Sequence, residues 1–320
     1  MSMPNPLRVN IIGAGVIGLS IACELLDRGA TVTVISDAAH PYDCSPLAGA
    51  VWFPYGVSLD PEVLAWSWVT RERLEYVAHH DPAAGVAIRD GRYIIRDDST
   101  DVSWAVGLPS YRELDLAELP DGALRGFTAA LPVVDMSRYL PWLRNRAESA
   151  HFVNRHITTL SDTECFHPDA VVVAAGIRSA ELIADEAPPK PVRGQVVRLR
   201  NPGLTDWYID ELAPDGMTYV IPRFDDVVCG GTALAGDWST EIDTATEASI
   251  LRRAIARVPA LAGQPVVSRG VGLRPTRPSV RCGWVDGQHL PTLACYGHGG
   301  AGVSLSWGSA EAVARALAAR

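Results

Sequence analysis

Gly13-Ala14-Gly15-Val16-Ile17-Gly18 follows the apolar run Val9 to Ile12 and precedes apolar residues at helical spacing, Leu19, Ala22, Leu25 and Leu26. A strand that passes straight into a helix through three glycines leaves few folds open. Gly13 permits the tight turn, Gly15 lets the backbone approach a pyrophosphate, and Gly18 lets helix pack closely on strand. The helix N-terminus adds unpaired N–H groups and partial positive charge. Gly29 stops the helix and Thr31 to Ile35 is β-branched and apolar, so the first 37 residues predict one strand–helix–strand unit of a parallel, doubly wound sheet. Asp37, 19 residues past Gly18, is placed to bind ribose hydroxyls. The unit predicts a bound dinucleotide.

Beyond it, the segment from Pro41 to Pro61 is broken by prolines and by Gly49 and Gly56, which suits irregular chain passing near a ligand. Helices are predicted over Glu62 to His79, Met136 to Ala150 and Thr246 to Val258. Strands are predicted over Arg92 to Arg96, Gly126 to Val134, Ala170 to Gly176, Gln195 to Arg200, Tyr219 to Pro222 and Val227 to Cys229. The tail reads as a strand from Thr292, a glycine-rich turn, and an Ala-rich helix over Ser309 to Ala319. The chain thus enters a nucleotide-type domain three times, and what lies between suggests a second, antiparallel-sheet layer.

With 320 residues, 48% of them hydrophobic and 20% charged, the chain can bury two modest cores and fits neither disorder nor a fibrous repeat. A net charge of -9 without a basic block excludes nucleic acid as an expected partner. The first eight residues are too short and polar for a signal peptide and no apolar run spans a bilayer, so a soluble, cytoplasmic protein with no membrane partner is expected. The six cysteines form no CxxC pair, and neither a metal site nor a thioredoxin-like dithiol is predicted. Cys229 and Cys282, each beside glycine in a strand-like run, are a candidate disulfide.

The longer pattern Gly18, Ala22, Leu25, Gly29, Val32, Val34 resembles the FAD-binding version of the unit more than the NAD version. That version usually carries its acid where this chain has Ser36, one residue before Asp37. Four further segments resemble the D-amino acid and D-aspartate oxidase family of FAD oxidoreductases in the same order: Ala48 to Tyr55, Tyr219 to Pro222, Gly272 to Pro278 and Tyr296 to Gly302. The resemblance implies an α/β fold with an FAD-binding doubly wound (Rossmann-like) domain, residues 1–56, 132–187 and 272–320, plus a mixed, largely antiparallel-sheet substrate domain, residues 57–131 and 188–271. It implies FAD held by Gly13, Ala14, Gly15, Val16, Ile17, Gly18, Asp37, Ser45, Gly49, Ala50, Val51, Ile157, Ala175, Gly176, Gly299, Gly300, Gly302, Val303 and Ser304.

By the same resemblance Arg274 grips the substrate carboxylate, Tyr219 adds a hydroxyl to it, and the Gly300 carbonyl accepts from the amino group. Val51, Phe53, Tyr55 and Ile221 line the side-chain pocket. The residue types suit these tasks, because a guanidinium forms a planar fork that matches a carboxylate and flanking prolines hold Arg274 in an extended segment. The helix start after Gly299 can stabilise negative charge developing on a flavin. His298 is read as structural. The implied reaction is hydride transfer from Cα to flavin N5 by positioning alone, with a D-amino acid and O2 as small-molecule partners and a homodimer left open.

The short loop Asp210 to Thr218 carries Asp215 where some members carry a tyrosine, which predicts little lid gating and room for bulky side chains. It also lacks the arginine that the aspartate-specific branch uses to bind a second carboxylate, so neutral D-amino acids are the expected substrates. Arg223 is the one residue that could restore an acidic substrate. A glycine or sarcosine oxidase is the other alternative.

Overall fold

The structure, a computed structural model, describes residues 6–37 and 42–320, so Pro41, at the head of the irregular segment, lies outside the described residues. Arg8–Ile12, Thr31–Ser36, His151–Asn154, Ala170–Val173 and Thr292–His298 form five mutually parallel strands, in the spatial order Thr292–His298, Ala170–Val173, Arg8–Ile12, Thr31–Ser36, His151–Asn154. Apart from the edge strand His151–Asn154, they bury side chains on both faces, Val9, Ile11 and Val172 on one and Ile12, Val171 and Val173 on the other, which is why they read as apolar runs. The helix Val16–Asp27 covers this part together with Gly302–Ala318, and Pro61–His80 packs on the latter. Asp60 starts the helix Pro61–His80 by accepting from Glu62 N and Val63 N at 3.1 and 2.9 Å.

The predicted second layer is instead a continuation of the same sheet. Val266–Val285, 20 residues long, pairs antiparallel with Lys190–Arg200 through its first half and with Thr292–His298 through its last. Its prolines, Pro275 and Pro278, fall where one partner hands over to the other and the register shifts between Thr276 and Arg281, so their missing N–H groups interrupt little of the ladder. From Lys190–Arg200 the sheet runs on through Asp226–Gly230, Thr218–Pro222, Trp207–Asp210, Val86–Ile95, Arg125–Val134 and Arg112–Glu113. All these pairings are antiparallel except that of Val86–Ile95 with Trp207–Asp210. Among the described residues one sheet of 14 strands thereby carries both halves of the molecule.

Two local expectations are corrected. The last helix begins at Gly302 rather than Ser309, because Val303, Leu305, Trp307 and Gly308 are buried and tertiary packing outweighs the weak helix preference of glycine. A Cβ at Gly308 would lie 2.2 Å from Trp66 Cα, so this glycine permits the close crossing with Pro61–His80. The disulfide between Cys229 and Cys282 is absent and all six cysteines are free. Cys229 is packed among Val197, Leu199, Val220 and Ile250, whereas Cys282 stands in register opposite Cys295. No helix among the described residues is long and apolar enough to cross a membrane.

Candidate active site

A cavity of about 510 Å³ runs from the glycine turn to Arg274. All the residues predicted for the cofactor and substrate line it except Gly18. Gly18 acts beneath the wall: a Cβ there would sit 1.9 Å from Gly13 O, so a side chain would break the turn. Gly13 itself has φ 115° and its missing Cβ would meet Ala174 O at 2.4 Å, which couples the turn to the neighbouring strand. Ala50 holds the left-handed φ of 57°, uncommon for a residue with a side chain, while its carbonyl accepts from Val134 N at 2.8 Å.

Two helix N-termini converge on this cavity, and neither is capped by a side chain of its own N-cap residue, Gly15 or Ala301. Val16 N donates to Ser45 Oγ at 3.1 Å, and Ser304 Oγ is tied to Phe53 N and O at 2.9 Å each. Such ends attract negative charge, a pyrophosphate at one and an electron-rich ring at the other. Asp37 closes the far end beside Ile157, Ala175 and Gly176. Burial works against its charge, but hydrogen bonds from His156 (2.8 Å) and Arg178 (2.9 Å) outweigh this and hold the carboxyl below its usual range.

At the other end Arg274 projects from the long strand beside Tyr219 of Thr218–Pro222, with Tyr55 at 5.6 Å from ring centre to guanidinium. Arg274 Nη1 donates to Thr232 O at 2.9 Å. Glycines seat both groups: a Cβ on Gly194 would lie 2.5 Å from Arg274 Nη2, and one on Gly230 would lie 2.0 Å from Tyr219 Cζ.

The sequence matches the FAD dependent oxidoreductase family over residues 8–316. The chain belongs to that family. It is 38% identical to the D-amino-acid oxidase of Rubrobacter xylanophilus over 314 residues, 96% of this chain and 94% of the relative. It is 34% identical to the human D-aspartate oxidase over 327 residues, covering 96% and 94%. Glycine oxidase from Geobacillus kaustophilus shares the fold, with a TM-score of 0.79 at 19% identity over 98% of this chain and 95% of that one.

In this FAD oxidoreductase the substrate end is electrostatically set for an anion. Burial opposes the Arg274 charge, yet Tyr219, Tyr55 and Cys44 outweigh it and hold the guanidinium more firmly protonated than usual. Burial pushes Tyr219 up and Tyr55 up to about 12, so both hydroxyls keep their protons and can donate. His298 lines the cavity but hydrogen-bonds Ser309 Oγ at 3.0 Å, and burial pushes it down to about 3. It is neutral at physiological pH.

Arg223 lies outside the cavity wall. Its Nε and Nη2 meet Asp226 at 2.6 and 2.5 Å, and Nη1 lies 3.5 Å from Asp135. Asp215 also turns away, paired with Arg257 at 2.8 Å. Sequence reasoning missed Gly194, Gly230 and Thr232, which reach the site across strand pairings, and Glu211, which lines the cavity near Arg274. Only Glu211, charged and next to the end of an apolar run, left a local trace.

Proposed function

We propose that the protein oxidises the Cα–N bond of D-amino acids, neutral ones in preference to acidic ones, yielding a 2-oxo acid, ammonia and hydrogen peroxide. The observation that carries this reading is the half-buried Arg274 beside Tyr219 in the same cavity as two helix N-termini. The residues fit FAD, since Gly13 and Gly15 leave a cradle that a Cβ would fill and Asp37 offers a carboxylate at the ribose end. We assign its contacts to residues 13–17, Asp37, Ser45, residues 49–51, Ile157, Ala175, Gly176, Gly299, Gly300, Gly302, Val303 and Ser304, with Gly18 supporting the turn from beneath, and the FAD-binding domain to residues 1–56, 132–187 and 272–320. When bound, FAD supplies a hydride acceptor at N5, and O2 reoxidises it.

Arg274 and the Tyr219 hydroxyl fix the substrate carboxylate by charge-assisted hydrogen bonds, and the Gly300 carbonyl accepts from the amino group. Two anchored substituents leave one orientation of the Cα–H, which selects one enantiomer and replaces a dedicated base by positioning. Val51, Phe53, Tyr55 and Ile221 give an apolar wall, and with Arg223 committed to Asp226 and Asp135 no cation is supplied from that residue for a second carboxylate. Six unpaired thiols support a reducing compartment such as the cytoplasm. The test is a peroxide assay over D-amino acids with their L-forms, glycine, sarcosine and D-aspartate. Turnover of D-forms above L-forms, glycine and sarcosine, and of neutral D-forms above D-aspartate, is expected, and equal rates with L-forms or a preference for glycine or sarcosine would sink the assignment.

A further inference from the structure

Glu211 follows directly on the strand Trp207–Asp210 and lines the cavity near Arg274. Its carboxylate accepts from Tyr93 OH at 2.7 Å and, among the described residues, forms no ion pair. Arg96, the cation that lines the adjoining recess, is bound two-pronged to Asp210 at 2.9 Å and donates to Asp121 O at 2.8 Å. Burial pushes the Glu211 carboxyl up, while Tyr93 and Arg274 pull it back. A carboxylate kept from water with one neutral donor is costly, and a cation placed against it would offset that cost.

The wall continues outward from here. A recess of about 240 Å³ shares Tyr55, Glu211 and Met217 with the main cavity, so a side chain that starts at a Cα held by Arg274 can run past Tyr55 toward Glu211. Beside Arg96, which is held by Asp210, its walls are formed by Tyr93, Ile94, Thr100 and Leu212, which suit a methylene chain. A long apolar stem ending in a positive charge matches both features at once.

Resting on the D-amino acid reading above, we propose that Glu211 is the residue that sets side-chain preference, drawing the enzyme toward D-amino acids with a long cationic side chain, D-arginine and D-lysine in class, and repelling acidic ones. Arg274 takes the α-carboxylate, and the distal ammonium or guanidinium pairs with the Glu211 carboxylate. A neutral side chain leaves Glu211 with Tyr93 and is accepted without that gain. An acidic one sets two carboxyls together in a buried space.

The experiment compares near-isosteric pairs, D-arginine with D-citrulline and D-lysine with D-norleucine, by kcat/KM in the FAD-loaded enzyme and in Glu211→Gln. The wild type is expected to favour the cationic member at least about tenfold, the scale of one charge-assisted hydrogen bond. In Glu211→Gln the ratio should fall to near one while D-norleucine and D-citrulline stay within about threefold of wild type. A ratio near one in the wild type, or one unchanged by the substitution, overturns the proposal. If Glu211→Gln does not fold, 5-guanidinopentanoate and heptanoate, read by flavin absorbance in the wild type, decide the matter: tighter binding of the cationic acid supports it and equal or weaker binding overturns it. Failure of every D-amino acid to turn over would instead defeat the reaction assignment, since oxidation of D-norleucine without a cationic preference defeats only the role of Glu211.

Discussion

Arg274 carries a net charge at a half-buried position, and its close partners are tyrosine hydroxyls and one carbonyl rather than a carboxylate. That leaves its fork available to a substrate anion, and two parallel N–H bonds distinguish arginine from lysine. Arg274→Lys is therefore expected to lower kcat/KM for neutral D-amino acids by about 10- to 100-fold, the value of one lost charged hydrogen bond, with bound flavin unchanged. An unaltered kcat/KM at full flavin content would remove Arg274 from carboxylate binding. His298 carries a second residue-scale prediction, on stability. Its folded value, about 3, lies below the ordinary 6.5, so between these the unfolded chain binds a proton that the folded one does not, and stability falls as pH drops from about 6.5. Near pH 5 the cost is about 2 kcal/mol, and His298→Asn should reduce the loss in urea midpoint between pH 7.5 and 5. An equal loss in the variant would show that other groups govern acid sensitivity. Arg274 and Tyr219 were legible because each sits in a motif that a single chain segment spells out. Gly194 was not, because what makes it matter is register: Gly194 stands opposite Gly272, two residues before Arg274 on the facing strand.

At the scale of elements the glycine unit was the most legible part, since strand, turn and helix each obey local rules that agree. Gly18→Ala would drive a methyl into Gly13 O, 1.9 Å away, and either the helix or the turn must move. Flavin affinity is expected to fall at least about tenfold, with lower thermal stability, because the same displacement misaims the N–H groups of Val16 and its neighbours. Retention of wild-type flavin content after dialysis would show that the turn tolerates the shift. The loop between Asp210 and Thr218 supports the expectation of little gating, being pinned by Asp215 to Arg257 at 2.8 Å and by Arg253 Nη2 to Met217 O at 3.2 Å. Turnover should accordingly be insensitive to solvent viscosity, and a kcat that falls in proportion to added sucrose would place loop opening or product release in the rate-limiting step. The elements that sequence patterns missed were those where tertiary pairing overrides local preference. Val266–Val285 contains prolines that argue against a strand, and only its change of partners makes them tolerable.

For the molecule as a whole, the continuous sheet has a consequence that neither half shows alone. Arg8–Ile12, the middle one of the five parallel strands, ends at the glycine turn and the strands beyond Val266–Val285 lead to Tyr219 and Glu211, so the cavity wall is drawn from segments as distant in sequence as Gly13 and Ser304. A ligand that fills the cavity therefore ties together strands on both sides of Val266–Val285. Anything that binds the folded but not the unfolded chain stabilises it by RT ln(1 + [L]/Kd), about 2.7 kcal/mol at a hundredfold excess over Kd. For a chain of this size that is expected to raise the apparent melting temperature by about 4 °C, as a single transition of the whole molecule. Differential scanning calorimetry of flavin-stripped protein with and without FAD reads this directly. Because the sheet is shared, both halves should move together. If FAD shifted one transition and left a second in place, the two halves would unfold independently, and the long strand would be a linker between domains rather than the spine of one cooperative unit.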